Sequence, residues 1–208
     1  MMKIALFGAT GGTGRHFLTQ ALEAEHDVAA LVRDAAKLDQ VHDGLRVIQG
    51  NVLEAVAVSD TLADAAVAMV ILGNTADNPD DIVSQGTAVI IAAMQELGQR
   101  RLVILTSLGV GDSVKQIPLA FKVAVKTIPV LKNAMADKEI QERMVMESGL
   151  DWTIVRPGGL SDGPLTGTYT SGLDPKIKAR QLSRADVAHY LLQVMDDDGL
   201  IGKAPAVT

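Results

Sequence analysis

The chain has 208 residues, 48% hydrophobic and 21% charged, with 19 basic and 25 acidic residues and a net charge of −6. It has no cysteine, which excludes a disulfide scaffold, a thiol nucleophile and a thiolate metal site. The acidic balance and the few aromatics (three Phe, two Tyr, one Trp) argue against a nucleic-acid partner, which needs clustered cations and stacking rings. The length suits one domain over 1–208. The opening apolar run at 4–7 is too short for a secretory leader, and no run approaches a membrane span. The expectation is a cytoplasmic protein with no membrane partner.

In chain order, short apolar runs stand at 4–7, 28–32, 47–48, 67–72, 102–105 and 152–155. None alternates apolar with polar, which is the pattern of strands buried on both faces of a parallel sheet. Segments of helical period lie between them. Phe17, Leu18, Ala21 and Leu22 share one helical face. Asp80 opens a helix whose face runs Val83, Thr87, Ile90, Met94 and Leu97, with Gly98 as its stop. A helix over 138–148 ends at Gly149, and Ser183 and Asp186 make a capping-box-like start for the last one. Strand and helix in strict order predict an α/β fold: a Rossmann-like, doubly wound parallel sheet of about six or seven strands with helices on both faces. Two stretches break the pattern, 109–136 and 158–181. Both leave the carboxyl edge of the sheet and read as substrate-side walls. In the first, Pro118 and Pro129 interrupt any long helix.

The chemical signal is Gly8-Ala9-Thr10-Gly11-Gly12-Thr13-Gly14, between the first strand and an amphipathic helix. Gly8 permits a tight turn, Gly11 lets the backbone approach a pyrophosphate, and Gly14 lets the helix pack close to the strand. The helix start offers N–H groups and a positive dipole end to phosphates. This context predicts a dinucleotide site. The second strand ends in Arg33, where an NAD-preferring site has an acidic residue, so Arg33, seconded by Lys37, favours the 2′-phosphate of NADP(H). Asp34 points away. Asn51 and Val52 follow the third strand toward the adenine, and Gly73 and Asn74 end the fourth beside a ribose. With Thr10, Gly12, Thr13, Thr106 and Pro157 these complete the expected cofactor-binding set.

Tyr169 has Leu173 four residues on, Tyr190 has Val194, and Lys138 has Ala134 four before it. A Tyr–Lys pair four apart is therefore missing, which argues against chemistry that needs a tuned base. Reduction of a planar conjugated acceptor remains, since such an acceptor delocalises charge and needs little acid help. Ser107, at the end of the fifth strand, is the candidate catalytic residue. Arg156 is expected to pair internally. His16, His26, His42 and His189 lack metal spacing, and the Asp196-Asp197-Asp198 run reads as solvated, so no metal is expected.

The GxxGxxG spacing at 8, 11 and 14 resembles the short-chain dehydrogenase/reductase superfamily. The 4–11 segment, Leu31-Val32-Arg33-Asp34, Glu147-Ser148-Gly149-Leu150 and above all Asp162-Gly163-Pro164-Leu165-Thr166-Gly167-Thr168-Tyr169-Thr170 are similar to its atypical biliverdin reductase B / flavin reductase branch. The resemblance implies an NADPH-dependent reductase of flavins or biliverdins, a monomer or weak homodimer, with Ser107, Arg33 and Lys37 at the family's functional positions. Gly159 stands where that branch has a histidine near the substrate. Arg156-Pro157-Gly158-Gly159-Leu160 looks more like NmrA-like and sugar-epimerase-like bacterial proteins. A non-catalytic NADP(H) sensor of the NmrA type and an atypical sugar-nucleotide epimerase are the alternatives.

Overall fold

The computed structural model describes residues 1–74 and 81–208. The apolar runs become six parallel strands: β1 (Lys3–Phe7), β2 (Asp27–Val32), β3 (Leu45–Gln49), β4 (Val67–Val70), β5 (Arg101–Leu105) and β6 (Asp151–Pro157). Helices α1 (Gly12–Glu23), α2 (Ala55–Leu62), α3 (Ile82–Glu96), α4 (Leu119–Thr127), α5 (Pro129–Glu147) and α6 (Arg184–Val194) connect or follow them. The remaining strands are short: β7 (Gly159–Ser161), β8 (Ser171–Gly172), β9 (Gln181–Ser183) and β10 (Ala206–Val207). The main sheet runs β3-β2-β1-β4-β5-β6-β10-β8, and β7 and β9 form a separate parallel pair. The sheet thus has eight strands, the last antiparallel, rather than the expected six or seven parallel ones. β8 and β10 have two residues each, too few to leave an apolar signature in the sequence.

The sheet is covered on both faces. Successive side chains of β1 point to opposite sides, so Ile4 and Leu6 join one core while Ala5 and Phe7 join the other. The first core takes Phe17, Leu18 and Leu22 from α1 and Val187, Leu191 and Val194 from α6. The second takes Val58 and Leu62 from α2, Val83, Ile90 and Met94 from α3, and Val145 from α5. The strand order reverses at β1, between β2 and β4, and this opens a crevice beyond the strand carboxyl ends.

The helix boundaries have local causes. Gly98 and Gly149 follow α3 and α5 in the left-handed region (φ +68° and +71°), where glycine alone is unstrained. Leu97, expected on the buried face of α3, is instead its exposed C-cap. Asp80 lies outside the described residues. α5 starts nine residues before the expected 138, because Pro129 occupies its first turn, where a missing N–H costs nothing. Pro118 likewise precedes α4. The two prolines divide the segment into two helices. Among the described residues no helix is long and apolar enough to cross a membrane.

At the start of α6, Ser183 Oγ accepts from the Asp186 N–H at 3.0 Å and donates to its carboxylate at 2.8 Å. Asp186 also takes the Thr166 N–H (2.8 Å), the Gly167 N–H (2.8 Å) and the Thr166 hydroxyl (2.9 Å). It thereby ties the 164–170 loop to the helix. Burial pushes the Asp186 carboxyl up, but these donors outweigh it and hold it below the ordinary carboxylate value. A carboxyl so held adds stability above its unfolded pKa of about 3.9 and loses it as pH falls through the folded value. Asp186→Ala strands several donors, so it is expected to cost about 2–4 kcal/mol at neutral pH and to flatten the acid-side fall of Tm. Thermal unfolding as a function of pH checks this, and an unchanged melting curve would overturn it.

Candidate functional site

A cavity of about 630 Å³ fills the crevice. Its floor is the 8–14 turn. Gly8 has φ +98°, and a Cβ there would lie 2.3 Å from the Ile71 carbonyl oxygen. A Cβ on Gly14 would lie 2.0 Å from the Gly8 carbonyl oxygen. Both positions therefore demand glycine, and α1 leaves β1 with its backbone pressed against the strand end. Gly11 is the N-cap of α1 and supplies no side-chain cap, so the first-turn N–H groups of this helix are left for something else. Thr10, Gly12 and Thr13 also line the cavity, and Arg184 of α6 crosses above Gly12, where a Cβ would meet its Cδ at 2.7 Å.

At one end stand Arg33 and Lys37, both exposed and both lining the cavity. Asp34 is turned to other work: its Oδ1 accepts from the Ala36 N–H at 3.0 Å and caps the short 3-10 turn Ala35–Lys37. Asn51 and Val52 line the wall beside them. The Asn51 Oδ1 accepts from the Leu53 N–H at 3.1 Å, so this side chain also shapes its own turn.

At the other end are Gly73, Asn74, Thr106 and Lys138. A Cβ on Gly73 would meet nothing within 4 Å, so the space before it is open to a ligand. Asn74 Nδ2 donates to Asp137 at 3.0 Å, and Asp137 also caps α3 by accepting from the Val83 and Ser84 N–H groups. Thr106 is held from two sides: its hydroxyl donates to Glu142 at 2.7 Å, and its carbonyl accepts from Lys138 Nζ at 2.8 Å. Glu142 in turn receives two bonds from the buried Arg156 (3.0 and 2.6 Å), which also reaches Asp112. Arg156 therefore pairs internally, as the sequence suggests. Burial works against its charge, yet Glu142 and Asp112 hold its pKa above the ordinary arginine value. Burial pushes the Lys138 ammonium down to about 8, against the opposing pull of Glu142 and Asp137.

Comparison with known proteins decides the class. A family model for NAD(P)H-binding proteins matches residues 8–198. The chain belongs to this NAD(P)H-binding family. Its structure is similar to ChuY, an anaerobilin reductase from Escherichia coli O157:H7, with a TM-score of 0.82 at 27% identity over 99% of this chain and 96% of that one. The sequence is 26% identical to YhfK of Bacillus subtilis, an uncharacterized sugar epimerase, over 98% of this chain and 92% of that protein. It is 30% identical to a 3-diazoavenalumate denitrifying reductase from Streptomyces, over 82% of this chain and 60% of that one. These neighbours agree with the atypical short-chain reductase type read from the sequence.

As an NAD(P)H site the cavity fits its ligand: an uncapped helix start for a pyrophosphate, cations at one end, and open space before Gly73. Of the expected cofactor set, Gly8, Thr10, Gly11, Gly12, Thr13, Gly14, Arg33, Lys37, Asn51, Val52, Gly73, Asn74 and Thr106 are brought together in its lining. Pro157 and Ser107 are not. Pro157 is buried at the end of β6, where its carbonyl accepts from the Leu108 N–H. The Ser107 hydroxyl donates to the Leu108 carbonyl at 3.1 Å, so the turn after β5 engages it with backbone. From the two expected substrate-side segments, Leu160 is the lining residue among those described. Neither tyrosine lines the cavity. Tyr169 is engaged by His189 (2.8 Å) and Gln193 (3.0 Å) against α6, and Tyr190 is buried.

Sequence reasoning missed Lys138 and Arg184 as lining residues. Lys138 stands where the lysine of a Tyr–Lys pair would fall, but Ala134 takes the tyrosine's place four residues earlier, so the pair, and with it a role for this lysine, is not read from the sequence. Arg184 follows the helix cap with no motif to mark it. Gly14→Ala tests the floor. The clash with backbone forces α1 away from β1, so a drop of about 3 kcal/mol or more in stability and loss of NADPH binding are expected. Denaturant unfolding and NADPH fluorescence titration measure both, and a wild-type unfolding midpoint would contradict the packing described.

Proposed function

We propose that the protein is a reductase that takes its electrons from NADPH and reduces a planar conjugated acceptor of the flavin or tetrapyrrole type. One observation carries the reading. Arg33, Lys37, Lys138 and Arg184 line the cavity, and no carboxylate does among the described residues. A ligand with a pyrophosphate and a further phosphate matches that field. In this reading the backbone from Gly8 to Gly14 and the start of α1 hold the pyrophosphate. Arg33 and Lys37 take the 2′-phosphate, and Asn51 and Val52 flank the adenine. Gly73 and Asn74 face a ribose, and Thr106 bounds the reactive end. Bound NADPH supplies hydride, and the chain supplies position and exclusion of water. The fold forms one domain around this cavity.

The similarity to an anaerobilin reductase and to a denitrifying reductase supports reduction as the reaction class. The lack of a tyrosine in the cavity lining, among the described residues, weighs against epimerase chemistry. The decisive test follows NADPH absorbance at 340 nm with the protein and excess FMN. Protein-dependent decay is expected. A flat trace despite tight NADPH binding would overturn the flavin-reductase reading in favour of a sensor. For cofactor choice, Arg33→Ala is expected to weaken NADPH binding about ten- to a hundredfold and leave NADH unchanged. Equal losses for both dinucleotides would remove Arg33 from its role.

A further inference from the structure

The reductase reading leaves the source of the acceptor's proton open, and this inference rests on that reading. The cavity lining, among the described residues, holds no tyrosine, histidine or carboxylic acid. Its two arginines do not release protons near neutral pH. Lys37 is exposed at the Arg33 end. Lys138 stands at the opposite end, beside Thr106, Asn74 and open Gly73.

The surroundings of Lys138 are what distinguish it. Two acids face it from its own helix, and both are committed elsewhere. Asp137 is taken by the Asn74 amide and the Val83 and Ser84 N–H groups. Glu142 is taken by Thr106, just past β5, and by Arg156 from β6, and Arg156 also binds Asp112 of the 3-10 turn Gly111–Gln116. The same cavity is lined by Arg184 of α6, whose guanidinium is paired with the Asp162 carboxylate. No ion pair within 4 Å joins Lys138 to a carboxylate among the described residues, and its bonded partner is the Thr106 carbonyl at 2.8 Å. An ammonium has three donors. One is anchored and two are left to the cavity. The position one helical turn earlier is Ala134, so no aromatic hydroxyl stands between Lys138 and a ligand.

We infer that Lys138 is the proton donor of the reduction, aimed by the Thr106 carbonyl. The acceptor gains one hydrogen with its electron pair from NADPH and one proton from Lys138. The Nζ–H bond breaks as the new bond to an acceptor nitrogen or oxygen forms. The neutral amine then recovers a proton from water. Burial without an ion-pair partner weakens the ammonium's hold on its proton, and a pKa of about 8 leaves it mostly charged at neutral pH yet able to give the proton up. Glu142, pinned by Arg156, keeps its charge from closing onto the amine.

Two measurements on the full-length protein test this. Competitive acetylation across pH, read by peptide mass spectrometry without ligand and with NADP⁺, reports the titration of Lys138 directly. A midpoint near 8 is expected, and one at the ordinary lysine value of about 10.4 would overturn the inference. The second is the pH profile of kcat for NADPH oxidation with biliverdin, whose reduction forms a new N–H bond, alongside the NADPH Kd, in wild type, Lys138→Arg and Lys138→Met. Wild-type kcat is expected to fall as pH rises through about 8. Lys138→Met should lower kcat about tenfold, a modest loss because a conjugated acceptor needs little acid help, and erase that fall, with little change in NADPH Kd, while Lys138→Arg should move the fall to higher pH. A Lys138→Met protein with wild-type kcat and profile would remove the role and leave the reductase intact. So would one whose whole loss lies in NADPH affinity. Failure of the wild type itself to oxidise NADPH with FMN, biliverdin or a quinone would remove the reductase reading, and this role with it.

Discussion

The site depends on one close approach, that of Gly14 to the carbonyl of Gly8. At this distance no side chain fits, and the turn between strand and helix is compressed until the start of α1 lies directly over the end of β1. Everything at the glycine-turn end of the cavity follows. The helix dipole and its uncapped N–H groups aim into the crevice because the helix cannot move away. Gly8 meets a second constraint, since its left-handed backbone presses on Ile71 beyond β4. The turn is thus wedged between two strand ends at the point where the sheet order reverses.

The other end of the cavity rests on a buried ion pair. Arg156 and Glu142 are both nearly inaccessible and joined by two hydrogen bonds, with Thr106 as a third member. A buried pair of this kind adds little net stability, because desolvation offsets attraction. Its value here is geometric. It fastens the middle of α5 to β5 and β6, and so sets the rotation of the helix that carries Lys138 and Asp137. Asp137 then fastens the same helix to the start of α3. A long helix of modest apolar content is located by polar bonds at three points.

The 164–170 segment carries the most specific resemblance in the chain, yet its residues do not line the cavity. Asp186 gathers it onto the first turn of α6, and Tyr169 anchors it to His189 and Gln193. Its motif reads as the chemistry of a clasped loop: two adjacent backbone donors, a hydroxyl and a glycine with positive φ at 167. The clasp bears on function indirectly, since Arg184 over the glycine turn belongs to the same helix start.

Local patterns determined a good deal. Strands buried on both faces leave continuous apolar runs, and helices leave a period and a stop residue, so all six long strands and most helices were legible. The glycine turn and the pair Arg33 and Lys37 were legible too, because contiguous residues form each of them. The two-residue strands were not, for want of length, and neither was α2. Ser107 and Pro157 follow or end the right strands, but the backbone turn after β5 and the packing of β6 keep them out of the cavity lining. Lys138 falls where a Tyr–Lys pair would have its lysine, but Ala134 in the tyrosine's place leaves no local motif to mark it. Its place in the lining depends on Thr106, Glu142 and Arg156, which lie on three different segments. What the sequence by itself determined is the class of fold and the glycine turn with its neighbouring cations, where every requirement is local. Which charged groups line the Thr106 end of the cavity was decided by tertiary structure alone, because burial and pairing there depend on residues brought together from the end of β5, β6 and α5.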